Sequence, residues 1–179
     1  MRNLLTRRPR HDEVSAVELY LVRHGIAEKG GDMGDVQRAL TPKGRARMEA
    51  IARALRILEV RPDLILTSPL RRAQETAAIL ARGLGNVELT ELSQLALNGA
   101  HPSELSHLLS GYQGVETLMV VGHQPSLGKL ASFLLCGSPE GCELEFKKGG
   151  VARLYAQTGG EAVRYRLEWL LGPRVMRKI

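Results

Sequence analysis

Three short apolar runs, residues 19–22 (LYLV), 63–67 (DLILT) and 117–121 (TLMVV), each stop at residues with chemistry of their own, and helical patterns separate them. Continuous apolar runs of this length read as strands buried on both faces, and such strands occur in parallel sheets covered by helices. The intervening pattern supplies those helices. Thr41 as N-cap and Pro42 at the first helical position open one, with Met48, Ile51, Ala52, Leu55 and Leu58 on a single face. Ser68-Pro69 opens a second by the same device, with Leu70, Ala73, Ala77 and Leu80 turned inward. Pro125 leads into a third through Leu127, Leu130, Ala131 and Leu134.

Residues 87–92 add a further strand, 102–109 a short helix, and 151–156 and 163–170 a closing pair of strands around Gly159-Gly160. Strand and helix in alternation predict an α/β fold: a three-layer α/β/α sandwich whose mostly parallel central sheet is flanked by helices. At 179 residues the chain is long enough for one domain with a core of its own. Residues 18–179 are assigned to it. Residues 1–17 are polar and aperiodic, and read as a flexible basic arm.

Charge narrows the function classes. The net charge is +6, but Arg2, Arg7, Arg8 and Arg10 lie in the arm and Arg174, Arg177 and Lys178 in the last six residues. The body is close to balance. With only 4% aromatic residues, these two basic tails are not the aromatic-studded basic face that nucleic-acid binding favours. No run approaches a membrane span and no apolar segment follows the basic N-terminus, so the expectation is a cytoplasmic protein without membrane contact. Cys136 and Cys142, in CGSPEGC, read as reduced structural thiols.

The strand ends carry the chemistry. Arg23-His24-Gly25 closes the first strand, Ser68 and Arg72 follow the second, and Gly122-His123 closes the run at 117–121. In a parallel sheet these carboxyl ends share one edge, where ligands bind. Two guanidinium groups and two imidazoles should therefore converge. Arginine's planar fork bonds phosphate oxygens in pairs. A neutral imidazole inside such a cage can attack phosphorus and become a phosphohistidine. Repulsion from the arginines should hold His24 neutral, and Gly25 should let the chain turn and approach the substrate closely.

Leu21-Val22-Arg23-His24-Gly25 resembles the signature of the histidine phosphatase superfamily, the clan that includes phosphoglycerate mutases. Residues 35–44 (DVQRALTPKG) are similar to its second block, and residues 68–77 (SPLRRAQETA) to its third, with Glu75 where that block has Gln. Residues 122–127 (GHQPSL) resemble the fourth, and 147–152 (KKGGVA) are of a kind seen in smaller members. The resemblance implies a phosphoglycerate mutase-like fold and His24 as nucleophile. It makes Arg23, Arg72 and His123 the phosphate cage, with Gly25 beside it and Arg71 a surface charge.

Only about 45 residues separate Ala77 from His123, which leaves no room for the helical cap of larger members. That uncapped form resembles SixA-type phosphohistidine phosphatases, and implies an open site that admits a phosphohistidine of a histidine phosphotransfer domain. Larger members use a carboxylic acid to protonate the leaving group. The corresponding region here holds Gln94, Leu95, Ala96 and Leu97, and Glu28, Asp32, Asp35 and His101 are the candidate donors. A departing imidazole needs such a donor less than an alkoxide does. No ligand spacing points to a metal or other cofactor. Two alternatives stand: a phosphatase of small phosphate esters or anhydrides, and a phosphate-recognition module without turnover. An intact His24 argues against the second.

Overall fold

A computed structural model describes residues 16–29, 34–97, 99–112, 114–157 and 164–179. Six strands form one sheet in the order β3-β2-β4-β1-β5-β6. They are β1 (Ala16–Arg23), β2 (Leu64–Thr67), β3 (Glu88–Glu91), β4 (Thr117–Gly122), β5 (Val151–Gln157) and β6 (Arg164–Leu171). The first four run parallel, β5 pairs antiparallel with β1 and β6 antiparallel with β5. Five helices pack on it: α1 (Pro42–Ile57), α2 (Arg71–Gly83), α3 (Pro102–Ser110), α4 (Ser126–Cys136) and α5 (Pro173–Met176).

Alternation along the central strands divides the interior into two cores. Tyr20 and Val22 of β1, Ile65 of β2 and Met119 and Val121 of β4 meet Met48, Ile51, Leu55, Ala73, Ala77 and Leu80 of α1 and α2. Leu19 and Leu21, Leu66, and Leu118 and Val120 face the other way, onto Leu105, Leu109, Leu127, Leu130 and Leu134 of α3 and α4. β1, β2 and β4 are buried on both faces, because neighbouring side chains point to opposite sides and helices cover each. That is the three-layer sandwich the apolar runs predict.

Four local readings are corrected. β1 begins at Ala16, ahead of the expected start at residue 18; the rest of the expected arm and the turn at Gly159-Gly160 lie outside the described residues. The C-terminus is not a basic tail, since α5 inserts Met176 and Pro173 among buried residues while Arg174 stays outside. Thr41 caps α1 as expected, accepting from the Gly44 amide at 2.9 Å. Ser68 does not cap α2, which starts at Arg71 with no side-chain cap, because its hydroxyl is taken up elsewhere. Cys136 is exposed and Cys142 half-buried, both as free thiols, so neither is a core residue. Among the described residues no helix is long and apolar enough to cross a membrane.

Candidate active site

Strand register assembles the site. Arg23 of β1 lies opposite Gly122 of β4, and Thr67 of β2 opposite Val121. The next residue along each strand is His24, His123 and Ser68, so all three emerge side by side. The backbone extends the ladder one step further. The His24 amide donates to the Gly122 carbonyl at 3.1 Å, and the Ser68 amide to the Val121 carbonyl at 3.1 Å. Arg72 enters from the first turn of α2. Its Nε donates to His24 Nε2 at 3.3 Å, and the two imidazole centroids are 5.0 Å apart. His24, Arg72, Ser68 and His123 are all buried. The cluster is therefore less open than a shallow surface site.

His24 is oriented by its own neighbour. Its Nδ1 lies 2.7 Å from the Gly25 carbonyl, which can only accept, so the proton sits on Nδ1 and the Nε2 lone pair faces Arg72. Burial holds the His24 pKa at about 3, with His123, Arg72 and Arg23 lowering it further. The ring is neutral at pH 7. Arginine repulsion, the cause expected from sequence, is secondary to loss of hydration. His123 is likewise held near 4, again first by burial.

Gly25 serves the site differently from expectation. Its amide donates to Thr76 Oγ1 at 3.0 Å, and that hydroxyl donates to the Arg72 carbonyl at 2.7 Å. Thr76 thus ties the His24 turn to α2, and the Gly25 amide is occupied rather than aimed at a ligand. Glycine is required because a Cβ there would lie 2.8 Å from Met48 Cγ and 3.1 Å from Leu40 Cδ2. Arg23 is held by a 2.5 Å hydrogen bond from its Nη1 to the Phe146 carbonyl, while its Nε is buried without a partner among the described residues. The following loop wraps the strand end: the Gly149 amide donates to the carbonyls of Arg23 and His24 at 3.1 and 3.2 Å.

The matches to known proteins follow the same architecture. The family model for the histidine phosphatase superfamily (branch 1) matches residues 19–96. An uncharacterized protein of Picosynechococcus sp. is 37% identical over 158 residues, which cover 81% of this chain and 93% of the relative. The chain belongs to the histidine phosphatase superfamily. A 2,3-bisphosphoglycerate-dependent phosphoglycerate mutase of Methylobacterium sp. is 38% identical over 93 residues, half of this chain and 45% of the mutase. Among solved structures, the protein histidine phosphatase SixA complexed with tungstate superposes with a TM-score of 0.79 at 24% identity, covering 89% of this chain and 99% of that one. A candidate SixA phosphohistidine phosphatase from Agrobacterium tumefaciens gives 0.72 at 26% identity, over 88% and 98%. The fold is that of the phosphoglycerate mutase-like histidine phosphatases.

Asp35, named from sequence only as a candidate proton donor, is instead a partner of Arg72 in this histidine phosphatase site. Its carboxylate accepts from Arg72 Nη2 at 2.8 Å and from Arg38 Nη1 at 2.5 Å, and its carbonyl accepts from Arg72 Nη1 at 2.7 Å. Both terminal nitrogens of Arg72 are thus engaged by one residue. The hydrogen bond from Arg38, then that from Arg72, holds the Asp35 carboxyl below its ordinary value, so it is ionised at neutral pH. As a candidate proton donor it carries no proton to give. His101 caps α3, with Nδ1 2.8 Å from Ser103 Oγ, and Glu28 is exposed with its carbonyl bound by Arg38. Asp32 lies outside the described residues.

Gln94, Leu95 and Ala96 do line a small cavity beside His123, with Gln94 exposed and its amide oxygen accepting from Ser93 Oγ. Glu75, the departure in the third block, faces away from the cage. It accepts from the Leu40 amide at 2.7 Å and pairs with Arg45 at 2.8 Å and Arg71 at 3.0 Å. Among the described residues no group of three or more His, Cys, Asp or Glu side chains is placed to hold a metal ion.

Proposed function

We propose that this chain is a phosphohistidine phosphatase that works through a phosphorylated His24. The observation that carries the reading is the His24 ring itself, neutral, locked at Nδ1 by the Gly25 carbonyl and presenting Nε2 3.3 Å from Arg72 Nε. In the first half-reaction Nε2 attacks phosphorus in line, the Nε2–P bond forms, and the bond from phosphorus to the substrate ring breaks, that ring, protonated on its other nitrogen, leaving as neutral imidazole. Arg23, Arg72 and His123 stabilise the charge on the transferring group. In the second, water attacks phosphorus, the Nε2–P bond breaks, and inorganic phosphate leaves with neutral His24 restored.

Two features favour a phosphohistidine substrate. The residues that line the cavity beside His123 include no carboxylic acid, which suits a leaving imidazole better than an alkoxide. Between α2 and β4 the described chain adds only β3, a single turn at Ser93–Leu95 and α3, so no extra domain roofs the site. The phosphoryl group must displace Asp35 from Arg72. A dianion carries twice the charge of the carboxylate, and at 4 Å each unit pair contributes about 4 kcal/mol at an effective dielectric of about 20, so the exchange favours phosphate.

The test is phosphate release from a phosphohistidine-bearing phosphotransfer domain, run beside a panel of small phosphate esters. Turnover of the domain at least tenfold faster in kcat/KM than any ester is expected. The stretch shared with the phosphoglycerate mutase supports the competing reading, a small-ester phosphatase, which faster ester turnover would establish.

A further inference from the structure

We propose that Ser68 is a positioning residue that fixes the tautomer of His123, so that His123 presents Nδ1–H to the phosphoryl group. Ser68 Oγ lies 2.8 Å from His123 Nε2, and both residues are fully buried. The Leu70 amide donates to the same Oγ at 3.3 Å. With an N–H already arriving at the oxygen, the hydroxyl hydrogen remains to be placed, and His123 Nε2 is the acceptor that faces it. In this buried setting Ser68 donating to a bare Nε2 is the arrangement that places the hydroxyl hydrogen.

His123 is neutral, so a bare Nε2 puts its one proton on Nδ1. That atom is buried and has no partner among the described residues. The ring stands 5.0 Å from the ring of His24, so its unused donor belongs to the same cluster as the nucleophile. The opposite tautomer would strand the Ser68 hydrogen and turn a lone pair toward phosphate oxygens. Ser68 itself cannot drift, because its amide is held by Val121 at 3.1 Å. The two histidines are then set in opposite senses. The Gly25 carbonyl leaves His24 with a lone pair at Nε2, and the Ser68 hydroxyl leaves His123 with a donor at Nδ1.

The inference rests on the cage being the phosphoryl site, but its first test does not. Two-bond nitrogen–proton correlation spectra of the 15N-labelled full chain, without ligand at pH 7, report which nitrogen of His123 is protonated. Protonated Nδ1 and bare Nε2 are expected, with the assignment made from the His123→Gln spectrum. Protonated Nε2 in the wild type overturns the proposal whatever the enzyme acts on. Ser68→Ala should release the ring to the other tautomer or a mixture, and weaken tungstate binding about tenfold. It should lower kcat by about 10- to 100-fold with a smaller change in KM, on whichever phosphorylated substrate the wild type turns over. Ser68→Thr, which keeps the hydroxyl, should restore the wild-type tautomer and most of kcat. A folded Ser68→Ala protein with wild-type tautomer and kcat also overturns it. Loss of all turnover in the wild type would sink the phosphatase reading and leave the tautomer result standing.

Discussion

His24 and Arg72 meet as an uncharged base and a permanent cation, 48 residues apart in sequence and 3.3 Å apart in space. Burial of the imidazole makes the contact tolerable, because an imidazolium there would face Arg72 and Arg23 in a dry setting. Asp35 answers the charge of Arg72. Asp35→Ala is expected to tighten tungstate binding about three- to tenfold by removing this competitor, measured by titration calorimetry at fixed ionic strength. Weaker binding would show that Asp35 serves to aim Arg72 rather than to compete.

At this scale His24, Arg72 and His123 were legible, because each stands at a strand end or first helical turn in a recognisable block. Thr76 was not, and Asp35 was legible only as a candidate proton donor, not as the partner of Arg72. Their contacts span 51 and 37 residues, and nothing local to a threonine inside a helix or an aspartate in a loop signals a partner at that distance. Gly25 was singled out for the wrong reason, since its limit is the close approach of Met48 and Leu40 rather than a turn.

The helix starts show how far local rules reach. Thr41-Pro42 and Ser68-Pro69 look alike in sequence, yet only Thr41 caps its helix, at 2.9 Å to the Gly44 amide. Ser68 is drawn to His123 instead. Thr41→Ala is expected to lower unfolding free energy by about 1 kcal/mol in denaturant titration while leaving kcat unchanged. At the same edge of the sheet, Gly149 holds φ +82° where its amide bridges the Arg23 and His24 carbonyls, and a Cβ there would lie 2.9 Å from Ile51 Cδ1. Gly149→Ala should cost about 1–3 kcal/mol from backbone strain and lower kcat as well, because the strained loop touches the nucleophile's own backbone. α5 was missed because four residues give no periodicity to read; Met176 docks only once the first core exists to receive it.

The molecule as a whole carries its two central histidines uncharged. Folded His24 titrates near 3 and His123 near 4, against an ordinary 6.5. Below about 6.5 the unfolded chain therefore binds protons that the folded chain refuses, and stability rises with pH across that window. Their contribution is complete above pH 6.5 and is lost progressively as pH falls toward 4. The Tm of the wild type should fall over this range more steeply than that of His24→Asn at the same ionic strength. Parallel curves would mean that His24 is charged or solvated in the folded state. The layered sheet was legible because uniformly apolar strands leave helices on both faces as the packing solution. The antiparallel pairing of β5 with β1 was not, since strand patterns carry no direction.

One measurement bears most directly on the account. A single turnover with a phosphorylated substrate, quenched within milliseconds in alkali and read by intact-protein mass spectrometry, reports whether the enzyme takes up a phosphoryl group. The account predicts a gain of one phosphoryl group, stable to alkali and lost in acid, that maps to His24 and is absent from His24→Ala. A His24→Ala enzyme that still turns over substrate, or a phosphoryl group on any other residue, would contradict it.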